Sequence, residues 1–170
     1  MPRAVKIYVR SVDAMNRVVG RLAMLLIFVM MGILLFSSGS RTFFNTSHIW
    51  TVEMAQFIMT GYYLLGGAYS MQLNSHVRMD LLYGQWSPKT QAAVDAVTVF
   101  FLVFYLVVLL IGGISSTEYA LAYDQRNYSA WAPPLAPIKI VMCVGIVLML
   151  LQVIATFFKD VAAARGEPLA

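Results

Sequence analysis

Four long stretches without a single charged residue dominate this chain of 170 residues. They cover positions 22–40, 54–75, 96–117 and 140–158, and each is 19 to 22 residues long. A helix needs about 20 consecutive, mostly apolar residues to cross the hydrocarbon core of a bilayer. The sequence therefore predicts four transmembrane helices, over about 22–40, 54–75, 96–117 and 138–158.

The composition excludes a soluble globular domain. Only 12% of the residues are charged and 60% are hydrophobic, whereas about a quarter of an ordinary soluble domain is charged. The connections between the stretches are too short for a separate folded domain. We therefore expect residues 1–170 to form one all-α integral membrane domain, with short amphipathic segments at the membrane interface.

Basic residues are distributed unevenly around the four predicted spans. Nine fall on one side, including five that precede the first span: Arg3, Lys6, Arg10, Arg17 and Arg21. Three fall on the other side: Arg41, Arg126 and Lys139. The positive-inside rule then predicts that both termini are cytoplasmic. This topology and anionic membrane lipids account for the net charge of +4, so no nucleic-acid partner is expected.

Residues 9–21 alternate apolar and polar positions. Val12, Met15 and Val18 would form one side of a helix, and Asp13 and Asn16 belong to the other. This pattern fits a short amphipathic helix that lies along the inner interface. An extension of the first transmembrane helix fits it equally well.

The centres of the spans contain no acidic, basic or histidine residues. Glu53, Asp95 and Lys139 fall at span ends, and the two histidines, His48 and His76, fall in connections. An ion or proton carrier usually needs an ionisable residue at membrane depth, and a haem needs axial ligands there. Phosphate-binding, nucleophile and metal motifs are also missing from the sequence. We predict no enzyme activity, no cofactor and no metal site.

The second span carries the most informative pattern. Its polar and small residues recur in steps of three and four, which keeps them on roughly a third of the helix circumference. They are Glu53, Gln56, Thr60, Tyr63, Gly67, Ser70 and Asn74. Gly66 and Ser70 add a pair of small residues four apart, which allows helices to approach closely.

Two interpretations of this face are open. In the first, it packs against weaker stripes of the third and fourth spans, which contain Thr98, Tyr105, Gly112, Ser116, Gly145, Gln152 and Thr156. In the second, it docks on another membrane protein, because so long a polar face exceeds what one internal contact normally uses. Helices in a bilayer associate through small residues and interhelical hydrogen bonds in either case.

A polar cluster, His76, Arg78 and Asp80, follows the second span. On a helix Arg78 and Asp80 point in different directions, so they need not pair with each other. Each is expected to serve a neighbouring helix end or a partner, unless the segment is only a polar turn at the interface.

The sequence resembles that of the small permease subunit of the tripartite ATP-independent periplasmic (TRAP) transporters, which forms the DctQ-like family. The resemblance rests on Trp50-x-x-Glu53, Gly66-Gly67-Ala68, His76-Val77-Arg78-Met79-Asp80, Trp131-x-Pro133-Pro134 and Pro137-x-Lys139. The four-span plan and the length of the chain agree with it.

The resemblance implies a multi-pass scaffold subunit of the bacterial inner membrane. Such a subunit binds a much larger permease, which holds the substrate and sodium sites. A periplasmic receptor delivers an organic acid to the outer face, and the sodium gradient drives its uptake without ATP. The outer connections, residues 41–50 and 118–136, are then candidates for receptor contacts.

The candidate structural and partner-contact residues combine the second-span face with these motifs. We expect Gly66 and Gly67 at a close helix contact, while Glu53 has a second interpretation as a receptor or ion contact. The complete set is Trp50, Glu53, Gln56, Thr60, Gly66, Gly67, Ser70, His76, Arg78, Asp80, Trp131, Pro133, Lys139 and Gln152.

Two other classes of protein are the alternatives. A stand-alone small four-helix carrier would need a carboxylate within the first span, and residues 22–40 contain none. A membrane anchor subunit of another complex, such as a redox enzyme, would need histidines within the spans, and these are missing too.

Overall fold

The computed structural model describes residues 3–73 and 88–164, which form four helices. These are α1 (Arg3–Phe44), α2 (Ile49–Gln72), α3 (Pro88–Ala122) and α4 (Ala136–Ala164). Extended pairing in the described residues is limited to one isolated bridge between Arg126 and Pro134. The predicted all-α membrane fold is confirmed.

Within residues 3–73 and 88–164, three segments are long and apolar enough to cross a membrane: Arg3–Phe44, Val97–Ala122 and Ala136–Lys159. The second helix, α2, is not one of them, although its 24 residues extend about 36 Å and exceed the length that a span needs. Its many polar and small residues make it less apolar than the other segments. The prediction that α2 also crosses the membrane therefore rests on its length.

The first helix is continuous from Arg3 to Phe44, so residues 9–21 extend the first span. The sides of this segment also differ from the prediction. Asn16 is buried, whereas Met15 and Val18 are exposed. The reason is that the face of α1 that contacts the other helices combines Val9 and Val12 with Asn16, Gly20 and Ala23, and leaves other apolar side chains outside.

Three of the helices, α1, α2 and α4, pack against one another, and α3 packs mainly on α4. The N-terminus of α1 and the C-terminus of α4 meet at one end, where Tyr8 lies edge-on to Phe158. We call this the terminal end, and the opposite end, which holds the connections 45–48 and 123–135, the loop end. The arrangement is open, because α3 lies at the margin.

Two glycines allow the closest approaches between helices. A Cβ atom on Gly145 of α4 would lie 2.9 Å from the backbone oxygen of Leu64 on α2. A Cβ atom on Gly20 of α1 would overlap the ring of Tyr69 on α2. Small residues at these two positions are therefore required for α2 to pack between α1 and α4.

Candidate functional site

The polar face of α2 is directed mainly away from the other helices. Gln56 and Thr60 are exposed, and the Thr60 hydroxyl donates to the backbone oxygen of Gln56 in the preceding turn, at 2.9 Å. Tyr63 is 62% exposed. The buried residues of α2, such as Gly61 and Ala68, lie on the other side. We call Gln56, Thr60, Tyr63, Gly66, Gly67 and Ser70 the open face of α2.

A groove of about 420 Å³ separates the open face from α1. On the α2 side it is lined by Tyr63, Gly66, Gly67 and Ser70 and by three further residues, and on the α1 side by Gly20, Ala23 and Met24. Small residues on both helices leave this space open, Gly20 and Ala23 on α1 and Gly66, Gly67 and Ser70 on α2. Its lining is mostly apolar, and its volume is within the ~300–1,000 Å³ typical of binding pockets.

Gly66 and Gly67 do not lie at a close helix contact within the described chain, contrary to the expected role. A Cβ atom on Gly66 would meet nothing within 4 Å, and one on Gly67 would meet only the sulfur of Met149, at 3.9 Å. The close contacts occur at Gly20 and Gly145 instead. A role for Gly66 and Gly67 in packing against a partner remains a prediction.

The weaker polar stripes of the third and fourth spans differ in their surroundings: the stripe of α4 is packed inside the protein, and that of α3 is open. The fourth-span residues Gly145 and Gln152 are buried against other helices. In α3, by contrast, Tyr105, Gly112 and Ser116 line a second open groove of about 320 Å³. Internal packing therefore accounts for the stripe of α4, but not for most of the polar face of α2.

Glu53 lies beside the open face, near the start of α2, and only 7% of it is exposed. Its Oε2 atom is fully buried and receives no hydrogen bond from any described residue. A buried carboxylate without a donor is costly. Among the described residues of the predicted face, Glu53 is thus the one that is buried and still lacks a partner for one of its oxygens.

Trp50 belongs to an aromatic cluster at the loop end. The His48 ring stacks on Phe36 of α1, with centroids 5.6 Å apart, and Trp50 lies 6.3 Å from each of these rings. Thr51 fixes the same corner, because its hydroxyl donates to the backbone oxygen of His48 at 2.7 Å and lies 2.9 Å from the Ser37 hydroxyl. This cluster ties the start of α2 to α1.

The motif residues Trp131, Pro133 and Lys139 belong to an ordered connection between α3 and α4. The backbone oxygen of Pro133, which is buried, accepts a hydrogen bond from the Asn127 N–H at 3.0 Å. Lys139 donates to the backbone oxygen of Ser116 at 3.1 Å and to Oε1 of Gln125 at 2.7 Å. Lys139 therefore holds this connection in place, while Trp131 is exposed.

Gln152 lies at the centre of a polar network between α1 and α4. Its Oε1 atom accepts a hydrogen bond from Nδ2 of Asn16 at 2.6 Å, and its Nε2 atom donates to Oδ1 of Asp13 at 3.1 Å. Nζ of Lys159 lies 2.6 Å from Oδ2 of the same carboxylate. Asn16 is 1% exposed and Gln152 is fully buried. The network therefore fixes how α1 and α4 pack.

The sequence analysis selected Gln152 but missed its partners. A signal was present, because Asp13 and Asn16 are three apart on α1, and Gln152 and Lys159 are seven apart on α4, so that each pair shares a helix face. The pairing itself joins residues more than 130 positions apart in the sequence.

Replacing Gln152 with leucine should destabilise the isolated chain by about 1–3 kcal/mol, because the buried amide of Asn16 loses its hydrogen-bond partner and the carboxylate of Asp13 keeps only Lys159. The measurement is thermal unfolding in detergent. Gln56→Leu is the matched control, since Gln56 is exposed, and its unfolding should be unchanged. Equal stability of Gln152→Leu and the parent chain would show that the network does not hold α1 against α4.

The predicted cluster of His76, Arg78 and Asp80 lies outside the described residues, as does Asn74. Within the described ranges, no group of three or more His, Cys, Asp or Glu side chains is placed to hold a metal ion.

Fold and site together define an all-helical membrane protein with one polar helix face left open beside a groove. The sequence profile of the DctQ component of tripartite ATP-independent periplasmic transporters matches residues 30–163, and the chain belongs to this family. It is a small membrane subunit of a TRAP transporter, and a multi-pass protein of the bacterial inner membrane. The family is a transporter component and not an enzyme family. No curated protein matches the chain closely enough to add to this.

Proposed function

We propose that this subunit is the scaffold partner of a large multi-span permease, and that the open face of α2 is the surface that docks on it. One observation carries the proposal: Gln56, Thr60 and Tyr63 are exposed on a helix long enough to span the membrane. Lipid tails offer no hydrogen bonds to such side chains, whereas a second membrane protein does.

The groove beside the open face supports the same docking mode. Gly66 and Gly67 leave room for the backbone of another helix to approach, because nothing in the described chain fills the space above Gly66. Close approach through small residues is the usual way in which helices associate in a bilayer.

Glu53 supplies a polar anchor at the loop end of this surface. Its buried Oε2 atom has no donor among the described residues, and an ionisable residue at membrane depth is a functional candidate by default. Because this chain's own atoms enclose Oε2, a donor of the large permease reaches it only when the Glu53 side chain turns outward. We assign this change, and a hydrogen bond or ion pair of Glu53 with the permease, to assembly of the complex, in preference to a contact with the receptor or an ion.

Membership of the DctQ family supports a division of labour between the subunits. The large permease would hold the substrate and sodium sites, and a periplasmic receptor would deliver an organic acid. With both termini in the cytoplasm, the loop end faces the periplasm, and the connection 123–135 presents exposed aromatic side chains there, including Tyr128 and Trp131. This connection is the proposed receptor contact.

Affinity purification tests the subunit assignment. The chain is expressed with its native neighbouring genes, purified in mild detergent and analysed by mass spectrometry. We expect a larger polytopic protein in stoichiometric amount. A homo-oligomer of this chain without any such protein would contradict the proposal and would call for transport assays on the chain alone.

A further inference from the structure

The terminal half of α1 carries a stripe of positive charge. At about 100° per residue, its five basic residues fall within about 60° of the helix circumference: they are Arg3, Lys6, Arg10, Arg17 and Arg21. All five are exposed in the structure. We call this set the basic stripe.

The basic stripe has no carboxylate partner in the part of the chain that the structure describes. The only acidic residue in this half of the helix is Asp13, and it is engaged by Lys159 and Gln152 of α4. Among the described side chains, nothing compensates these five exposed cations along about 27 Å of helix. A negatively charged partner is the complement that this surface lacks.

The neighbouring side chains indicate what kind of anion fits. Next to the basic stripe, on the side away from the buried residues, lies an exposed apolar strip that includes Ile7, Val18 and Leu22. An acidic protein would complement the charges alone. A lipid layer complements both surfaces, because its acyl chains begin directly below its headgroups.

Contacts with α4 place this half at the edge of the membrane, because Asn16 bonds to Gln152 and Tyr8 packs on Phe158, both in the last turns of the apolar segment Ala136–Lys159. The helix has 42 residues and extends about 63 Å, roughly twice the thickness of the hydrocarbon core. Residues 22–40 already suffice for the first span. The 19 residues from Arg3 to Arg21 therefore exceed what the core needs, and their exposed apolar strip requires cover from water.

We infer that the basic stripe of α1 binds anionic phospholipid headgroups, while the apolar strip beside it enters the upper acyl region. The binding belongs to this chain alone and does not depend on the large permease. Two cations near an anionic surface together change the preference for anionic lipid by about ten-fold or more.

The test uses the purified chain reconstituted in phosphatidylcholine vesicles. The measured quantity is the association of spin-labelled phosphatidylglycerol relative to spin-labelled phosphatidylcholine. The parent chain should prefer phosphatidylglycerol, and high salt should weaken this preference. The double variant Arg17→Gln/Arg21→Gln should lose most of it, by about ten-fold, while Arg17→Lys/Arg21→Lys should retain it.

The matched control is Arg41→Gln/Arg126→Gln, which removes two exposed cations at the loop end. This variant should keep the lipid preference. An unchanged preference in Arg17→Gln/Arg21→Gln would overturn the inference, and so would an equal loss in the control. If the variant kept its lipid preference but no longer bound the large permease, the stripe would be a protein contact instead.

Discussion

Replacing Gly145 with leucine should separate α2 from α4 and destabilise the chain by about 1–3 kcal/mol or more. Even the first added carbon would lie 2.9 Å from a backbone oxygen of Leu64, and backbone does not move aside as a flexible side chain does. The measurement is the thermal midpoint of the purified chain in detergent. Gly145→Ala should show a smaller loss in the same direction.

The control for this prediction is Gly66→Leu, an identical substitution in the facing helix. A Cβ atom at Gly66 meets nothing within 4 Å, so the variant should unfold at the parental temperature. If Gly145→Leu also unfolded at the parental temperature, the close approach of α2 and α4 would not describe the folded protein.

Gly66→Leu should, in contrast, lower the amount of co-purified large permease by at least about ten-fold, because a leucine fills the groove that the proposed partner helix needs. Gly67→Leu should act in the same way, since its one close neighbour, the end of the Met149 side chain, can shift. Co-purification is quantified by mass spectrometry against the tagged chain.

Leu25→Ala serves as the control for assembly. Leu25 is exposed on α1, about 140° around the helix from Gly20, which faces α2. Its substitution should leave the complex intact. If both glycine variants co-purified with normal amounts of the large permease, the open face would not be part of the interface. Loss of the isolated fold in Gly66→Leu would mean that this glycine serves internal packing after all.

The helical architecture could be predicted from the sequence, because a stretch of about 20 apolar residues without a charge is what a helix needs to cross the bilayer. It could not be predicted from the sequence that residues 9–21 continue the first span, since a helix on the membrane surface and an extended span have the same periodicity. Neighbouring helices decided it: α4 offers Gln152 to Asn16, so Asn16 is buried together with Val9 and Val12, while the basic residues stay exposed.

The candidate site was predicted in part. The pattern placed Gln56, Thr60 and Tyr63 on one helix face, and the structure leaves these three exposed. It did not reveal which glycines allow close contact, because every glycine looks alike in a sequence. Only the facing atoms distinguish Gly145, which meets backbone, from Gly66, which meets nothing.

The most direct test of the central claim is photo-crosslinking from α2 in the assembled transporter. A photoreactive residue is placed at Thr60 or Tyr63 of the open face, and at Leu25 of α1 for comparison. Adducts with the large permease should form from the two α2 positions in much higher yield than from Leu25. A complex that co-purifies intact but gives no permease adduct from Thr60 or Tyr63 would contradict docking through this face.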